Sequence, residues 1–378
     1  MIVRRELRIL LAGGGTGGHV FPAIYIAEHL KKYWGAHCQF IGTKKGIENI
    51  KVPQAGFVVR NIWISGLQRG FALRNLLLPL KIIISMLQSK RELLRFKPDL
   101  VIGTGGYVSG PVLYQAVRMN IPTAIQEQNS YPGITTRLLA SRVDCVFLAY
   151  QEALNYLKKI KKYVLVGNPI KMQIITQDLE EALKYFNIKK GLATVLVFGG
   201  SQGARSINQA VDFLVEAGIF DQIQLIWQTG TQEFEHFKQK YLRQNNKNLR
   251  IMPFIDRMDY AYTVANLAVC RAGAMTISEL AAAGVPAILI PYPFAAENHQ
   301  FKNAQAVVHS EGAILIEDNT DLAATLKTAL VTLLQKPERL TYMAGQIKNF
   351  YHPDTLQRIA FELEDLYKHS DKTESRNG

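Results

Sequence analysis

A histidine closes a run of glycines near the amino terminus, Gly13-Gly14-Gly15-Thr16-Gly17-Gly18-His19. This spacing sets an imidazole and the Thr16 hydroxyl beside the end of the strand-like run before them, and an imidazole suits proton transfer near neutral pH. A loop histidine that merely caps the next helix accounts for the same pattern. A second glycine turn, Gly199-Gly200-Ser201-Gln202-Gly203, follows Val195-Leu196-Val197-Phe198 much as the first follows Ile9-Leu10-Leu11. Backbone N–H groups and the positive end of a helix dipole converge on an anion at such turns, so phosphate is the first ligand to consider. Tight strand-to-helix packing explains one glycine turn, but two copies half a chain apart point to two similar halves.

Further polar runs stand at strand ends. Gly103-Thr104-Gly105-Gly106-Tyr107-Val108-Ser109-Gly110-Pro111 places Pro111 where a first helical turn accepts it. Gln126-Glu127-Gln128-Asn129 gathers an acid and amides able to hold sugar hydroxyls or a pyrophosphate, although solvated loop residues have the same composition. In Arg271-Ala272-Gly273-Ala274-Met275-Thr276-Ile277-Ser278-Glu279-Leu280, Thr276 and Glu279 satisfy the S/T-x-x-E capping box. The functional alternative is a Glu279 carboxylate that accepts from both ribose hydroxyls while the helix start faces a phosphate. Pro291 to Gln300 supplies a polar loop capable of reading a sugar. Gly13, Gly15 and Gly18 meet the G-x-G-x-x-G spacing, yet no acid follows Phe40-Ile41-Gly42-Thr43 to hold a dinucleotide ribose, which weighs against a dehydrogenase.

These groups need strands to position them. One series runs Leu7–Ala12, Cys38–Ile41, Leu100–Ile102, Thr123–Ile125, Val143–Leu148 and Val164–Val166. The second runs Thr194–Phe198, Leu225–Gln228, Arg250–Met252, Leu267–Val269, Ala287–Ile290 and Ala313–Leu315. Strands alternating with helices predict two doubly wound parallel-sheet domains, with a ligand cleft between them at the carboxyl ends of the strands. Gly167-Asn168-Pro169 is the expected linker. The division is then 1–166 and 167–351, with a helix over about 352–368 packing back on the first domain and a disordered tail over 369–378.

The chain has 378 residues, and its 44 Lys and Arg against 31 Asp and Glu give +13, which favours an anionic partner. No basic helix with interleaved aromatics and no RNP-like or zinc-finger signature is present, so nucleic acid ranks last. Cys38, Cys145 and Cys270 sit singly in apolar runs without metal-ligand spacing and read as reduced core thiols of a cytosolic enzyme. The start of the chain lacks a signal-peptide cleavage pattern. The greasy stretch Phe71–Leu87 contains Arg74, Pro79 and Lys81, and falls short of a membrane span. Within it Leu73, Leu76, Leu77, Leu80, Ile83, Ile84 and Leu87 share one helical face, and Leu78, Ile82 and Met86 line the opposite one. Burial on both sides is one reading. The reading favoured here sets the Leu78, Ile82 and Met86 face on lipid, with Arg69, Arg74, Lys81, Lys90, Arg91 and Arg95 engaging anionic headgroups.

From about Leu7 to Tyr367 the chain resembles the MurG family of UDP-N-acetylglucosamine:lipid I N-acetylglucosaminyltransferases. The resemblance is carried, in order, by GGGTGGHVFPA, GTGGYVSGP, QEQN, GNP, GGSQGA, PFID and RAGAMTISELAAAGVPAILIPYP. It implies a GT-B fold of two Rossmann-like domains with no cofactor, UDP-GlcNAc being a substrate. Ser201 would touch the donor pyrophosphate, the Ile255 backbone the uracil, and Glu279 the ribose. Ala274, Met275, Thr276, Ile277 and Ser278 would surround the nucleotide, and Gln300 would hold the sugar. Thr16, Gly17, Gly18, Tyr107 and Asn129 would serve the sugar and acceptor, with Lys171 beside them. His19 falls at the reacting centre as the base, with Glu127 in reserve. Two departures stand out, since the family often has His where this chain has Gln126, and Arg where it has Lys171. Gln126 is no base, and Lys171 is a point charge in place of a bidentate fork.

The implied reaction is inverting displacement, in which the muramyl 4-hydroxyl of lipid I attacks and UDP leaves without a metal, since nothing resembles a D-x-D site. The implied location is the cytoplasmic face of the bacterial inner membrane, as a peripheral protein near other cell-wall or division proteins. A UDP-sugar epimerase, which gives no reason for the basic two-faced helix, and a non-catalytic nucleotide-sugar-binding module are the alternatives.

Overall fold

The computed structural model describes residues 6–66, 77–171, 178–200, 202–242 and 246–374, with side chains to residue 369. Ser201 and the first residues of the expected lipid-facing helix lie outside that set. One compact unit extends to Pro169 and takes the chain back at Pro353, and the other is Ile170–His352.

The first unit contains β1 (Arg8–Gly13), α1 (Gly17–Trp34), β2 (His37–Gly42), α2 (Glu48–Gln54), β3 (Val58–Asn61), α3 (Leu78–Phe96), β4 (Leu100–Gly105), α4 (Gly106–Arg118), β5 (Thr123–Glu127), α5 (Ile134–Leu139), β6 (Cys145–Leu148) and β7 (Tyr163–Leu165). Its seven strands are all parallel in the order β3-β2-β1-β4-β5-β6-β7. Ile9, Leu10, Leu11 and Ala12 are fully buried, as a strand covered on both faces requires. Burial pushes the thiols of Cys38 and Cys145 up to about 12, which keeps them protonated and inert. The order reverses between β1 and β4, so the loops after these two strands flank the position where open α/β sheets take ligands. These are the two glycine loops that carry His19 and Tyr107.

The second unit contains α6 (Leu179–Phe186), β8 (Thr194–Phe198), α7 (Arg205–Glu216), β9 (Gln224–Gln228), α8 (Phe234–Leu242), β10 (Leu249–Met252), α9 (Met258–Val264), β11 (Leu267–Cys270), α10 (Ala274–Ala283), β12 (Ala287–Leu289), α11 (His299–His309), β13 (Ala313–Leu315), α12 (Leu322–Leu334) and α13 (Pro337–Ile347). Six parallel strands follow the order β10-β9-β8-β11-β12-β13. The reversal lies between β8 and β11, which sets the second glycine turn beside the loop that starts at Arg271.

Helix α14 (Thr355–Glu374) belongs to the first unit. Thr355 Oγ1 donates to the Val166 carbonyl, and Lys162 pairs with Glu362 at 2.6 Å. The helix runs to Glu374, through residues expected to be a disordered tail.

Two more expectations change. The edge strand β3 was missed, since its four residues Val58-Val59-Arg60-Asn61 are mostly exposed and carry no apolar run. In α3, Pro79 stands in the first turn, where a helix accepts it. The faces are also divided differently from the expectation. Ser85, Ser89, Leu93 and Phe96 point inward, the two serines allowing close approach to the neighbouring α4. Leu78 and Met86 of the expected lipid face are half-buried, as is Ile84, while Ile82 (42%) of that face is exposed together with Leu80 (48%), Ile83 (59%), Leu87 (64%) and Leu94 (56%). Most of the described row expected to face the core is thus outward.

Candidate active site

The first glycine turn folds around a buried acid. Glu48, fully buried at the start of α2, accepts from the Gly15 N–H at 3.2 Å, the Thr43 N–H at 2.8 Å and the Thr43 hydroxyl at 3.0 Å. A Cβ on Gly14 would lie 2.6 Å from Glu48 Oε1, so glycine is required for the turn to close on the carboxylate. The protein's own anion therefore takes the Gly15 donor of the expected phosphate cradle and opposes a second anion at that N–H.

Thr16 is the N-cap of α1 but caps no backbone N–H with its side chain. Its Oγ1 lies 3.2 Å from His19 Nδ1, and the Gly14 carbonyl oxygen lies 3.3 Å from the same nitrogen. A carbonyl only accepts, so this contact favours a proton on Nδ1 and leaves the lone pair on Nε2, the form that a general base needs. The imidazole therefore does not cap the helix. Its backbone is fixed from β4, where the Thr104 hydroxyl donates to the His19 carbonyl at 2.7 Å. The ring lies against the third glycine loop, since a Cβ on Gly105 would fall 2.7 Å from His19 Cδ2. Thr16 and Gly18 are exposed, Gly17 is half-buried, and the Tyr107 ring lies against Gly15.

Glu127 is committed elsewhere. Its Oε1 accepts from the backbone and side-chain nitrogens of Asn129, both at 3.1 Å, while Oε2 accepts from the Gly133 N–H at 3.1 Å and the Thr136 hydroxyl at 2.6 Å. Four donors fill the acceptor sites of a nearly buried carboxylate, so Glu127 positions Asn129 and the following loop and does not serve as the reserve base. Gln126 is fully buried, and its amide donates to Asn168 Oδ1 at 3.0 Å. Asn168 Nδ2 donates in turn to the Gln128 carbonyl at 3.1 Å. QEQN and GNP are thus one hydrogen-bonded unit, and Lys171 is exposed just beyond it.

In the second unit the glycine turn lines a cavity of about 880 Å³ together with Arg205, Arg271, Thr276, Tyr292, Phe294 and Gln300. A Cβ on Gly203, at φ +78°, would lie 2.1 Å from the Thr229 carbonyl oxygen, so the turn approaches β9 more closely than any side chain permits. Arg271 is mostly buried and pairs with Asp318 at 2.8 Å. It also donates to Ser206 Oγ at 3.0 Å, and Ser206 donates to Asp318 at 2.7 Å. Gln300 Oε1 accepts from the Tyr292 N–H at 2.8 Å, leaving its NH₂ to serve as a donor.

Helix α10 starts at Ala274 after Gly273 as its N-cap, which removes the capping box, because Thr276 then lies within the first turn. Among residues 274–278 only Thr276 lines the cavity. Ala274, Ile277 and Ser278 are buried, Met275 is half-buried, and Ser278 donates back to the Ala274 carbonyl at 3.0 Å. The expected loop around a nucleotide is helical packing at these positions. Glu279 is half-buried and accepts from the Tyr262 hydroxyl at 2.9 Å, and desolvation raises its carboxyl to about 7. The Ile255 side chain is in the core and its N–H donates to Gln228 Oε1 at 2.9 Å. The Ile255 N–H is thus already committed within the domain.

Residues 9–148 match the glycosyltransferase family 28 N-terminal domain, and residues 194–359 the family 28 C-terminal domain. A protein of Christiangramia forsetii named UDP-N-acetylglucosamine–N-acetylmuramyl-(pentapeptide) pyrophosphoryl-undecaprenol N-acetylglucosamine transferase is 40% identical over 367 residues, covering 96% of this chain and 99% of that one. A Flavobacterium psychrophilum protein of the same name is 40% identical over 361 residues, 95% and 97% of the two chains. The crystal structure of Acinetobacter baumannii MurG matches with a TM-score of 0.76 at 27% identity, over 95% of this chain and 99% of that one. The chain belongs to the MurG family of glycosyltransferases. Like that MurG, it has a GT-B fold of two parallel-sheet α/β domains. A UDP-GlcNAc 2-epimerase from Neisseria meningitidis, at 14% identity and a TM-score of 0.69, shares the fold alone.

Three residues of this MurG-family chain escaped the sequence reading. Glu48 stands in Gly46-Ile47-Glu48-Asn49, where no pattern distinguishes it from a surface acid. Gln228 ends β9, donates to the Gly200 carbonyl at 2.8 Å and accepts from Ile255, joining the second glycine turn to PFID. Its only signal was a polar residue at the end of an apolar strand. Asp318 lies 47 positions after Arg271 in sequence (318 − 271) and has no local signature.

Proposed function

We propose that this chain transfers GlcNAc from UDP-GlcNAc to the muramyl 4-hydroxyl of lipid I, forming lipid II for peptidoglycan. The observation that carries the reading is 40% identity across nearly the whole of two transferases named for that reaction, with the glycine turns and the His19 imidazole at the two sheet reversals. The C-terminal domain binds the donor, with the second glycine turn and Thr276 at the diphosphate, Gln300 at the sugar and Glu279 at the ribose. Ser201, in the same turn, is the proposed hydroxyl contact to that diphosphate. The N-terminal domain binds the acceptor through Thr16, Gly17, Gly18, Tyr107 and Asn129, with Lys171 nearby.

His19 Nε2 removes the proton of the attacking 4-hydroxyl as its oxygen displaces UDP, inverting the anomeric carbon without a covalent intermediate. Charge growing on the leaving diphosphate is stabilised by N–H groups already aimed at it, so no metal or cofactor is required. Among the described residues no helix is long and apolar enough to cross a membrane. The exposed α3 row flanked by Lys90, Arg91 and Arg95 suits docking on an anionic membrane surface at the cytoplasmic face, where the lipid-linked acceptor lies.

Mass analysis of products from UDP-GlcNAc and a lipid I analogue tests the reading. It expects a GlcNAc-muramyl product with stoichiometric UDP release. Donor binding with neither product nor UDP would leave only a nucleotide-sugar-binding protein.

A further inference from the structure

A second cavity lies wholly within the N-terminal domain. It measures about 790 Å³ and is lined by Gly15 and Tyr107, by Lys81 and Gln88 of α3, and by Lys44 and Lys45 of the β2–α2 loop. Among the described residues three lysines line it and no carboxylate does. The nearby acid, Glu48, is turned away from it, its oxygens taken by Thr43 and Gly15. The side at α3 is built from side-chain contacts. Lys81 Nζ donates to Ser65 Oγ at 2.9 Å and stands 5.8 Å from the Trp63 ring centroid, and Gln88 Oε1 accepts from the Trp63 N–H at 2.6 Å.

Helical spacing gives α3 three distinct sides. Ser85, Ser89, Leu93 and Phe96 face the core, and Leu80, Ile83 and Leu87 face outward. Lys81 and Gln88, seven residues apart and so on one side, face the cavity between those rows. A cationic chamber is therefore lined both by α3, whose outward row is apolar, and by the glycine loop that carries His19.

We infer that this chamber binds the diphosphate linking the acceptor's sugar to its lipid carrier, through Lys44, Lys45 and Lys81. The inference rests on the transfer reading above. Three features of the domain fit the three parts of such a ligand. The lipid has the exposed leucine and isoleucine row, the diphosphate has three cations, and the sugar has Gly15, Tyr107 and the neighbouring imidazole. The Gly15 N–H is held by Glu48 and is not offered to the acceptor's anion, and the lysines supply charge for it.

The test uses the full-length protein in detergent-free solution with a short-chain, water-soluble lipid I analogue, so that surface docking does not enter. The double variant Lys44→Gln/Lys45→Gln is compared with Lys158→Gln/Lys159→Gln, which removes the same charge from exposed positions elsewhere in the domain. The expected result is a rise of about tenfold or more in KM for the diphosphate analogue, with KM for UDP-GlcNAc unchanged and the control double variant like wild type. Raising the salt concentration should narrow the difference. A second acceptor, the same muramyl-peptide as a neutral methyl glycoside, separates diphosphate from peptide carboxylates. Wild type and Lys44→Gln/Lys45→Gln should use it equally poorly. An unchanged KM for the diphosphate analogue, or an equal loss on the neutral one, overturns the inference while wild-type turnover upholds the transferase reading. Absence of turnover by wild type with either acceptor overturns that reading and the inference with it.

Discussion

The Tyr262 hydroxyl donates to Glu279 Oε2 at 2.9 Å, joining α9 to α10 and leaving the second carboxylate oxygen as the one to meet a ligand. Burial holds this carboxyl up at about 7, against an ordinary 4.5, so the native protein carries its proton to higher pH than the unfolded chain does. Ionisation therefore costs the native state increasingly as pH rises from about 4.5 to 7, and Glu279→Gln should gain in relative stability over that window. Thermal denaturation at pH 5 and pH 8 checks this, and an equal effect of the mutation at both would contradict the raised carboxyl.

Ribose hydroxyls donating to Glu279 favour its charged form. UDP-GlcNAc affinity should then rise with pH through about 7, with proton release on binding, and Glu279→Gln should flatten the dependence. Calorimetry in two buffers of different ionisation enthalpy counts the protons. Glu279→Ala should weaken binding by about 1.5 to 3 kcal/mol. A folded variant that still distinguishes UDP from 2′-deoxy-UDP as wild type does would remove the ribose role.

Turnover of His19→Ala should fall on the order of 10²-fold or more while UDP-GlcNAc binding largely survives. Equilibrium titration and single-turnover rates separate the two. Near-normal chemistry in single turnovers would leave proton removal to solvent.

The four donors on Glu127 give Glu127→Gln a different signature. Replacing a carboxylate with an amide sets an NH₂ against donors, so stability should fall by about 1.5 to 3 kcal/mol and acceptor KM should rise. The acid limb of the pH–rate profile should persist. Its disappearance in Glu127→Gln, with its retention in His19→Gln, would return the base to Glu127.

The outward row of α3 predicts that Ile83→Ser with Leu87→Ser reduces sedimentation with anionic vesicles more than Met86→Ser does, since Met86 is half-buried. High salt should weaken binding without abolishing it, because the apolar contribution is not screened. Equal binding to neutral vesicles, unaffected by these changes, would mean that the row does not meet lipid.

Buried strands were legible in the sequence because both their faces are covered, so Ile9 to Ala12 and Val195 to Phe198 read as uninterrupted apolar runs. The glycine turns were legible for a similar reason, since close approaches at Gly14 and Gly203 admit no other residue. The orientation of α3 was not, because its outward face is as apolar as a core face and its inward face contains two serines. Nor was the partner of the first turn, because the contact from Gly15 to Glu48 spans 33 residues and depends on β2 lying beside β1. Thr276 matched a capping pattern that Gly273 had already displaced by starting the helix three residues earlier.

The return of the chain at Pro353 makes the unit Ile170–His352 an insertion within the other, and on the proposed function the donor-binding domain is the inserted one. During synthesis Ile170–His352 can complete its sheet while the last helix is still in the ribosomal tunnel, whereas the first-made domain lacks α14 and its contacts with Val166 and Lys162. On the proposed assignment of the two domains, a nascent chain should therefore become competent for the donor before it is competent for the acceptor.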